Sequence, residues 1–412
     1  MKEVFLDAAS NTAMDKKVLK AMKPYLSKKF VGNSRSIHSF GIKAEMAMED
    51  SRIKIADIMG VEVGNVIFTS GATESNNMVI KGLAYKELTS GKPIEEQRRH
   101  IICGATEHDS VINACKQLEK IGFRVTYVKP SHMTGRIRGG DILSVLTKDT
   151  LLVCIMSINN ELGVLNYVNA ITTLTAARHI YSLVDCTQYV SYGGEYVELG
   201  KQFPHASFMT FSGHKIYGPT GTGCLVATED NLKALEGAGL IVGGAQEFGL
   251  RGGTSNTAGI VGLATAVELI HQQGDTLAKY YEELYKYLRI KLVRRFENAV
   301  VINTVPDHKN IVSLNCSGEF YPGDVDSLAS MLAAYGIAVS AGSACDSEHD
   351  ETQGDFNPSH VLVALGLSEF EIRTTIRVSF SKHTTTRDID FFVEKLSEFI
   401  LFIQKYRGDN ND

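Results

Sequence analysis

The sequence predicts an α/β protein, a mostly parallel sheet covered by helices and followed by a smaller α+β domain. Three observations carry that expectation. Short β-branched runs alternate with longer helical stretches over the first half of the chain. Turns rich in glycine and hydroxyl residues follow several of those runs, and the pattern changes after a cluster at Gly243, Gly244, Gly249, Gly252 and Gly253.

The runs at 66–68, 100–103, 125–128, 151–155, 182–184 and 207–211 are short and apolar, and read as buried strands. Between them, 74–87 and 109–120 have the length and pattern of helices. Strand and helix repeated in this way argue for parallel pairing with both sheet faces covered. Ligands of such sheets sit at the C-terminal strand ends, where the loops gather. Past the glycines, 257–295 reads as one long helix joining two domains. Strands at 311–315, 338–340 and 375–380 follow, with helices at 324–335 and 386–404. The expected domains are 13–256, and 1–12 together with 257–412. The polar tail 407–412 is expected to fray.

Of the 412 residues, 44% are hydrophobic and 22% charged, and 42 Lys and Arg against 47 Asp and Glu leave a net charge of -5. That balance makes no electrostatic case for direct nucleic-acid or membrane binding. No apolar stretch approaches the roughly 18 residues of a membrane span. The N-terminal Met1-Lys2-Glu3-Val4-Phe5-Leu6-Asp7 breaks its apolar run with acid and is not read as a signal peptide. Seven cysteines stand at 103, 115, 154, 186, 224, 316 and 345, an odd number with no CxxC pair. Six lie in apolar runs and read as reduced, buried thiols of a cytoplasmic protein. Cys345 differs, because its neighbours are Gly, Ser, Ala and Asp. The Cys345-x3-His349 spacing lacks a second ligand pair, so no metal site is expected.

The chemistry concentrates at predicted strand ends. Ser212-Gly213-His214-Lys215 follows the apolar run 206–211. A partly buried lysine in such a turn can form a Schiff base with an aldehyde cofactor, because burial lowers its pKa. Asp185 ends the run 182–184 and can keep a pyridine nitrogen protonated, with Gln188 and Asn160 placed to bond a phenolic oxygen. Together these residues read as pyridoxal 5'-phosphate chemistry. Ser70-Gly71-Ala72-Thr73-Glu74-Ser75 opens a helix after a strand, where an ordinary N-cap and a phosphate cradle look alike. Ser212, His214 and Thr254 as further ligands favour the cradle. His108, in Thr106-Glu107-His108-Asp109, lies at the same sheet edge and is a candidate for stacking and proton transfer. Cys345 sits in a loop of small residues suited to a nucleophile that must enter and leave a site. Arg377, inside an apolar strand, needs either a bidentate carboxylate ligand or an internal ion pair.

In this order the motifs resemble the cysteine desulfurases of the NifS/IscS type, within the class V aminotransferases of fold-type I. The resemblance runs from Phe5-Leu6-Asp7 to about residue 400. Its most specific pieces include Phe68-Thr69-Ser70-Gly71-Ala72-Thr73-Glu74-Ser75-Asn76, Asn159-Asn160-Glu161-Leu162-Gly163, Val184-Asp185-Cys186-Thr187-Gln188 and Gly342-Ser343-Ala344-Cys345. It implies a seven-stranded sheet in the large domain and a homodimer with sites near the interface. It implies that Lys215 carries pyridoxal 5'-phosphate, Asp185 pairs with the ring nitrogen, Asn160 and Gln188 bond the ring oxygen, and His108 stacks on the ring. Ala72, Thr73, Ser212 and His214 would bind phosphate, with Thr254 contributed by the partner subunit. Arg377 and Asn33 would hold the carboxylate of L-cysteine. Lys215 would remove the Cα proton, and Cys345 would take the substrate sulfur as a persulfide while alanine leaves.

The chain departs from that pattern in several places. Asp7-Ala8-Ala9-Ser10-Asn11-Thr12-Ala13 stands where a Thr-Thr-Pro turn is common, Asn33 lacks its following proline, and Ala341 replaces a common serine. The segment 346–357 is long and acidic, and is expected to select a basic sulfur-acceptor protein. A short tail after the last helix leaves tRNA or DNA thiolation open beside iron–sulfur cluster assembly. The alternatives are a selenocysteine lyase or other class V enzyme, and a non-catalytic sulfur-relay or scaffold subunit.

Overall fold

The apolar runs of the first half hydrogen-bond into one sheet in the computed structural model, which describes residues 3–28, 30–324, 327–341 and 358–409. Its strands are β2 (Val66–Thr69), β3 (His100–Gly104), β4 (Arg124–Val128), β5 (Thr150–Met156), β6 (Tyr181–Asp185), β7 (Phe208–Ser212) and β8 (Gly223–Ala227), and β1 (Val4–Phe5) precedes them in the chain. The sheet order is β2-β8-β7-β6-β5-β3-β4. β8 runs antiparallel to both neighbours, and the other pairs are parallel. Burial on both faces follows from the alternation of side chains. Ile102, Val153, Ile155, Val184 and Phe211 enter one core cluster, while Ile101, Cys103, Leu152, Leu183 and Phe208 enter the other.

Every strand read from the first half is present, and within this sheet β8 is the strand its residue pattern did not single out. Gly223 and Ala227 at its two ends weaken its strand signature. Pairing with β7 then supplies what local preference lacks.

Beyond the glycines the chain forms β9 (Val301–Ile302), β10 (Ile311–Asn315), β11 (Ile337–Ala338) and β12 (Thr375–Ser379). β12, β10 and β9 make an antiparallel sheet, and β1 pairs in parallel with β11. The expected strand at 338–340 is shorter, though Ser340 still bridges to Arg377 on β12. The helix Thr257–Phe296 has 40 residues, and the Asn256 side chain caps it by accepting from the Gly259 amide. The helix expected at 324–335 is Leu328–Ala334, with Ser327 as its N-cap.

The N-terminal segment crosses between the two groups of strands. Leu6 and Asp7 lie beside Ser379 of β12, while Thr12 bonds the His214 carbonyl and Asp15 the Tyr217 carbonyl. Cys103, Cys115, Cys154, Cys186, Cys224 and Cys316 are free and buried.

Candidate active site

The ends of β2, β3, β5, β6 and β7 deliver the site. The helix Ala72–Leu88 begins straight after β2, and Gly71 turns the corner with φ 153°, where a side chain is strained. A Cβ on Gly71 would lie 3.3 Å from Ser212 Oγ, so the glycine keeps a cradle open there. Ser212 Oγ accepts from the Ala72 amide at 2.8 Å, joining the helix start to the end of β7. Thr73 is exposed at the rim. Glu74 steadies the turn by accepting from the Ser70 amide at 2.8 Å and pairing with Arg251 at 3.0 Å. Arg251 thereby brings the glycine-rich loop bearing exposed Thr254 to this edge.

Asp185 ends β6 with both oxygens engaged. Oδ2 accepts from Asn76 Nδ2 and Oδ1 from the Thr187 amide, each at 2.9 Å. Asn76 is fully buried and also bonds Ser110 Oγ and Thr210 Oγ1. Sequence reasoning assigned Asn76 no role. Its signal was an amide inside an otherwise apolar helix face.

Lys215 closes the short turn after β7, and its Nζ donates to the carbonyls of Ala9, at 2.7 Å, and Ser10. Gln188 Nε2 donates to the same Ala9 carbonyl at 2.9 Å. The amide of Asn160 carries a buried Oδ1 that has no hydrogen-bond partner among the described residues. His108, half-buried, caps the helix Asp109–Glu119 through Nδ1. Burial lowers its pKa, opposed by Asp185 and Asp109 and assisted by Lys215. His214 falls to about 4, through burial first and then the charges of Lys215 and His108. Both imidazoles are therefore neutral at neutral pH.

Arg377 lies on β12 with 1% of its surface exposed. Nη2 pairs with Asp7 Oδ1 at 2.8 Å and with Ser340 Oγ at 2.8 Å, while Nη1 donates to the Asn160 carbonyl at 3.0 Å. Of the two partners the sequence left open for it, the internal ion pair is present. Asp7, Ala9 and Ser10 thus touch both Arg377 and Lys215, which no local pattern in the segment signalled. Asn33 is exposed and accepts from the Arg35 amide within its own turn; among the described residues no hydrogen bond joins it to Arg377.

Cys345 and the acidic segment 346–357 lie outside the described residues. The residues on either side do not. Ser340 bonds Arg377, and on the far side His360 Nε2 meets the Glu107 carbonyl at 2.8 Å while Ser359 Oγ donates to Glu161 Oε2 at 2.6 Å. Among the described residues no group of three His, Cys, Asp or Glu is arranged to hold a metal ion.

The aminotransferase class-V family profile matches residues 4–392, and the chain belongs to that family. The chain is 36% identical over 400 residues to cysteine desulfurase IscS of Dictyoglomus turgidum, covering 97% of this chain and 95% of that protein. A solved NifS-like protein superposes with a TM-score of 0.82 at 30% identity, over 97% of this chain and 100% of its own. SspA in complex with cysteine does so with a TM-score of 0.76 at 32% identity, over 93% and 100%. Within the class V family the chain is a cysteine desulfurase of the NifS/IscS type.

Proposed function

We propose that this chain takes sulfur from L-cysteine onto Cys345 as a persulfide, releases L-alanine, and passes the sulfur to an acceptor protein. The observation that carries the reading is the bracketing of the site. Ser340 and His360, on either side of the Cys345 segment, bond Arg377 and the loop of His108, beside Asp185 and Lys215.

The residues at the strand ends fit pyridoxal 5'-phosphate. Asn160 Oδ1 is buried without a hydrogen-bond partner among the described residues, and the cradle that Gly71 keeps open beside Ser212 fits a phosphate at the helix start. When bound, the cofactor supplies an electron sink for the electron pair released at the substrate Cα. Lys215 would hold it and later move the Cα proton. Asp185, fixed by Asn76 and Thr187, would face the ring nitrogen. Asn160 and Gln188 would bond the ring oxygen, and the neutral His108 would stack and accept a proton. Ala72, Thr73, Ser212 and His214 would hold the phosphate, with Thr254 from a second copy of the chain. Arg377 and Asn33 would hold the substrate carboxylate. The Cys345 thiolate attacks the cysteine sulfur, and the C–S bonding pair stays with the carbon fragment, which takes a proton and leaves as alanine.

A homodimer belongs to the same proposal. Ile42, Met46 and Ile53 form an exposed apolar stripe along the helix Ser39–Met59, near-by exposed Ile37 and Phe40 extend it, and a second copy would cover it. We read 13–256 as one domain, and 1–12 with 257–412 as the other, supported by the separate sheets on the two sides of residue 256. Among the described residues no helix is long and apolar enough to cross a membrane. Six free buried thiols support a reducing, cytoplasmic setting.

Sulfide and alanine release from L-cysteine with a thiol reductant tests the reading. Both are expected to vanish in Cys345→Ala. Release that survives would take Cys345 off the chemical path and favour a lyase.

A further inference from the structure

Asp7 is paired with Arg377, the residue proposed above to hold the substrate carboxylate. Arg377 is fully buried, and its Nη2, Asp7 Oδ1 and Ser340 Oγ form a closed triangle of 2.8, 2.8 and 2.9 Å. Ser340 donates its proton to Asp7, so it clamps the carboxylate onto the guanidinium. Arg377 Nε is buried and has no hydrogen-bond partner among the described residues. On a guanidinium, Nε and Nη2 are the side-on pair of donors that grips a carboxylate bidentately. One half of that grip is vacant, and Asp7 holds the other.

The segment that carries Asp7 also reaches Lys215. Ser10 Oγ donates to Asp7, and the Ala9 and Ser10 carbonyls accept from Lys215 Nζ. One short stretch of backbone therefore connects the arginine to the lysine.

We infer that Asp7 is a placeholder that the substrate carboxylate displaces from Arg377 Nη2. This rests on the reading of Arg377 as the carboxylate anchor. The incoming carboxylate takes Nη2 in place of Asp7 and bonds Nε as well, while Asp7 keeps its bond from the Ser10 hydroxyl. The exchange keeps the buried guanidinium paired with one carboxylate before and after binding, which avoids the cost of an uncompensated interior charge. Its consequence is selectivity. An amine without a carboxylate cannot displace Asp7, so the N-terminal segment keeps its resting contacts with Lys215.

The test uses the holoenzyme and two ligands without a thiol, L-alanine and ethylamine, so that Cys345 plays no part. Dissociation constants come from calorimetric titration. Asp7→Asn removes the competing charge and is expected to tighten L-alanine by about tenfold, the scale of one partly screened interior charge pair, and to leave ethylamine unchanged. L-Alanine binding that is unchanged or weaker in Asp7→Asn would overturn the inference. Should that variant fail to fold, Ser340→Ala removes the clamp and keeps the ion pair. It is expected to tighten L-alanine several-fold, and an unchanged constant there has the same overturning force. Arg377→Gln separates the two levels. If it leaves L-alanine binding intact, the anchor reading itself falls and the placeholder with it. If it weakens binding while Asp7→Asn tightens nothing, only the placeholder falls.

Discussion

Glu107, next to His108, is buried, and a Cβ on Gly104 would lie 2.5 Å from its Oε1. Burial, with a further push from the Asp185 charge, raises its pKa well above the usual 4.5. The folded protein thus keeps a proton that the unfolded chain loses. The associated stability is fully present below the unfolded pKa, and is lost as pH rises towards the folded value. Glu107→Gln has no proton to lose. Its melting temperature is expected to gain on the native chain as pH is raised from about 4 to about 8, at a slope of at most about 1.4 kcal/mol per pH unit. A difference that stays constant over that range would show an ionised Glu107.

Among the elements, the connection of the helix Ser39–Met59 to β2 and the glycine-rich loop rests on one buried ion pair. Arg52 Nη1 and Nη2 bond Glu247 Oε2 and Oε1 at 2.9 Å each, and the Phe68 amide donates to Glu247 Oε2 at 2.8 Å. The guanidinium also lies 4.5 Å from the Phe68 ring centroid. Glu247 and Phe248 adopt φ of 46° and 56°, strained for side chains of their size, and the ion pair helps hold them there. Glu247→Ala removes the bidentate partner and leaves buried Arg52 with only half-exposed Glu49, 3.5 Å from Nε, and the Val66 carbonyl. It is expected to cost about 3–5 kcal/mol in urea unfolding, since removing one partner strands the other. A loss under about 1 kcal/mol would show that water reaches Arg52 in the native protein. The elements themselves were largely legible beforehand. The strand Ile311–Asn315 lies where its apolar run predicts it, and the helix Thr257–Phe296 runs one residue longer than expected. β8 was not, because its stability comes from β7 and not from its own composition.

At the scale of the whole molecule, the apolar stripe on the helix Ser39–Met59 has the character of an interface. Met46 is 59% exposed and Ile37 96%, a cost that covering by a second copy would remove. The chain is expected to sediment as a dimer at micromolar concentration. Met46→Asp together with Ile53→Asp should shift it towards monomer and weaken cofactor retention, because Thr254 would no longer reach a neighbouring site. A variant that stays dimeric would place the interface elsewhere.

The sequence by itself determined the fold class, the order of most of the elements and which candidate residues follow the strands. These depend on short-range spacing: the periods of strand and helix, the turn residues after each strand, and the helix start behind Gly71. The tertiary structure decided what those residues touch. Asp7 meets Arg377 across 370 residues, Ala9 and Ser10 meet Lys215 across 206 and 205, and Asn76 meets Asp185 across 109. No periodicity encodes such pairs. They arise because packing the core brings the N-terminal segment between the two sheets, where buried polar groups must find partners within reach.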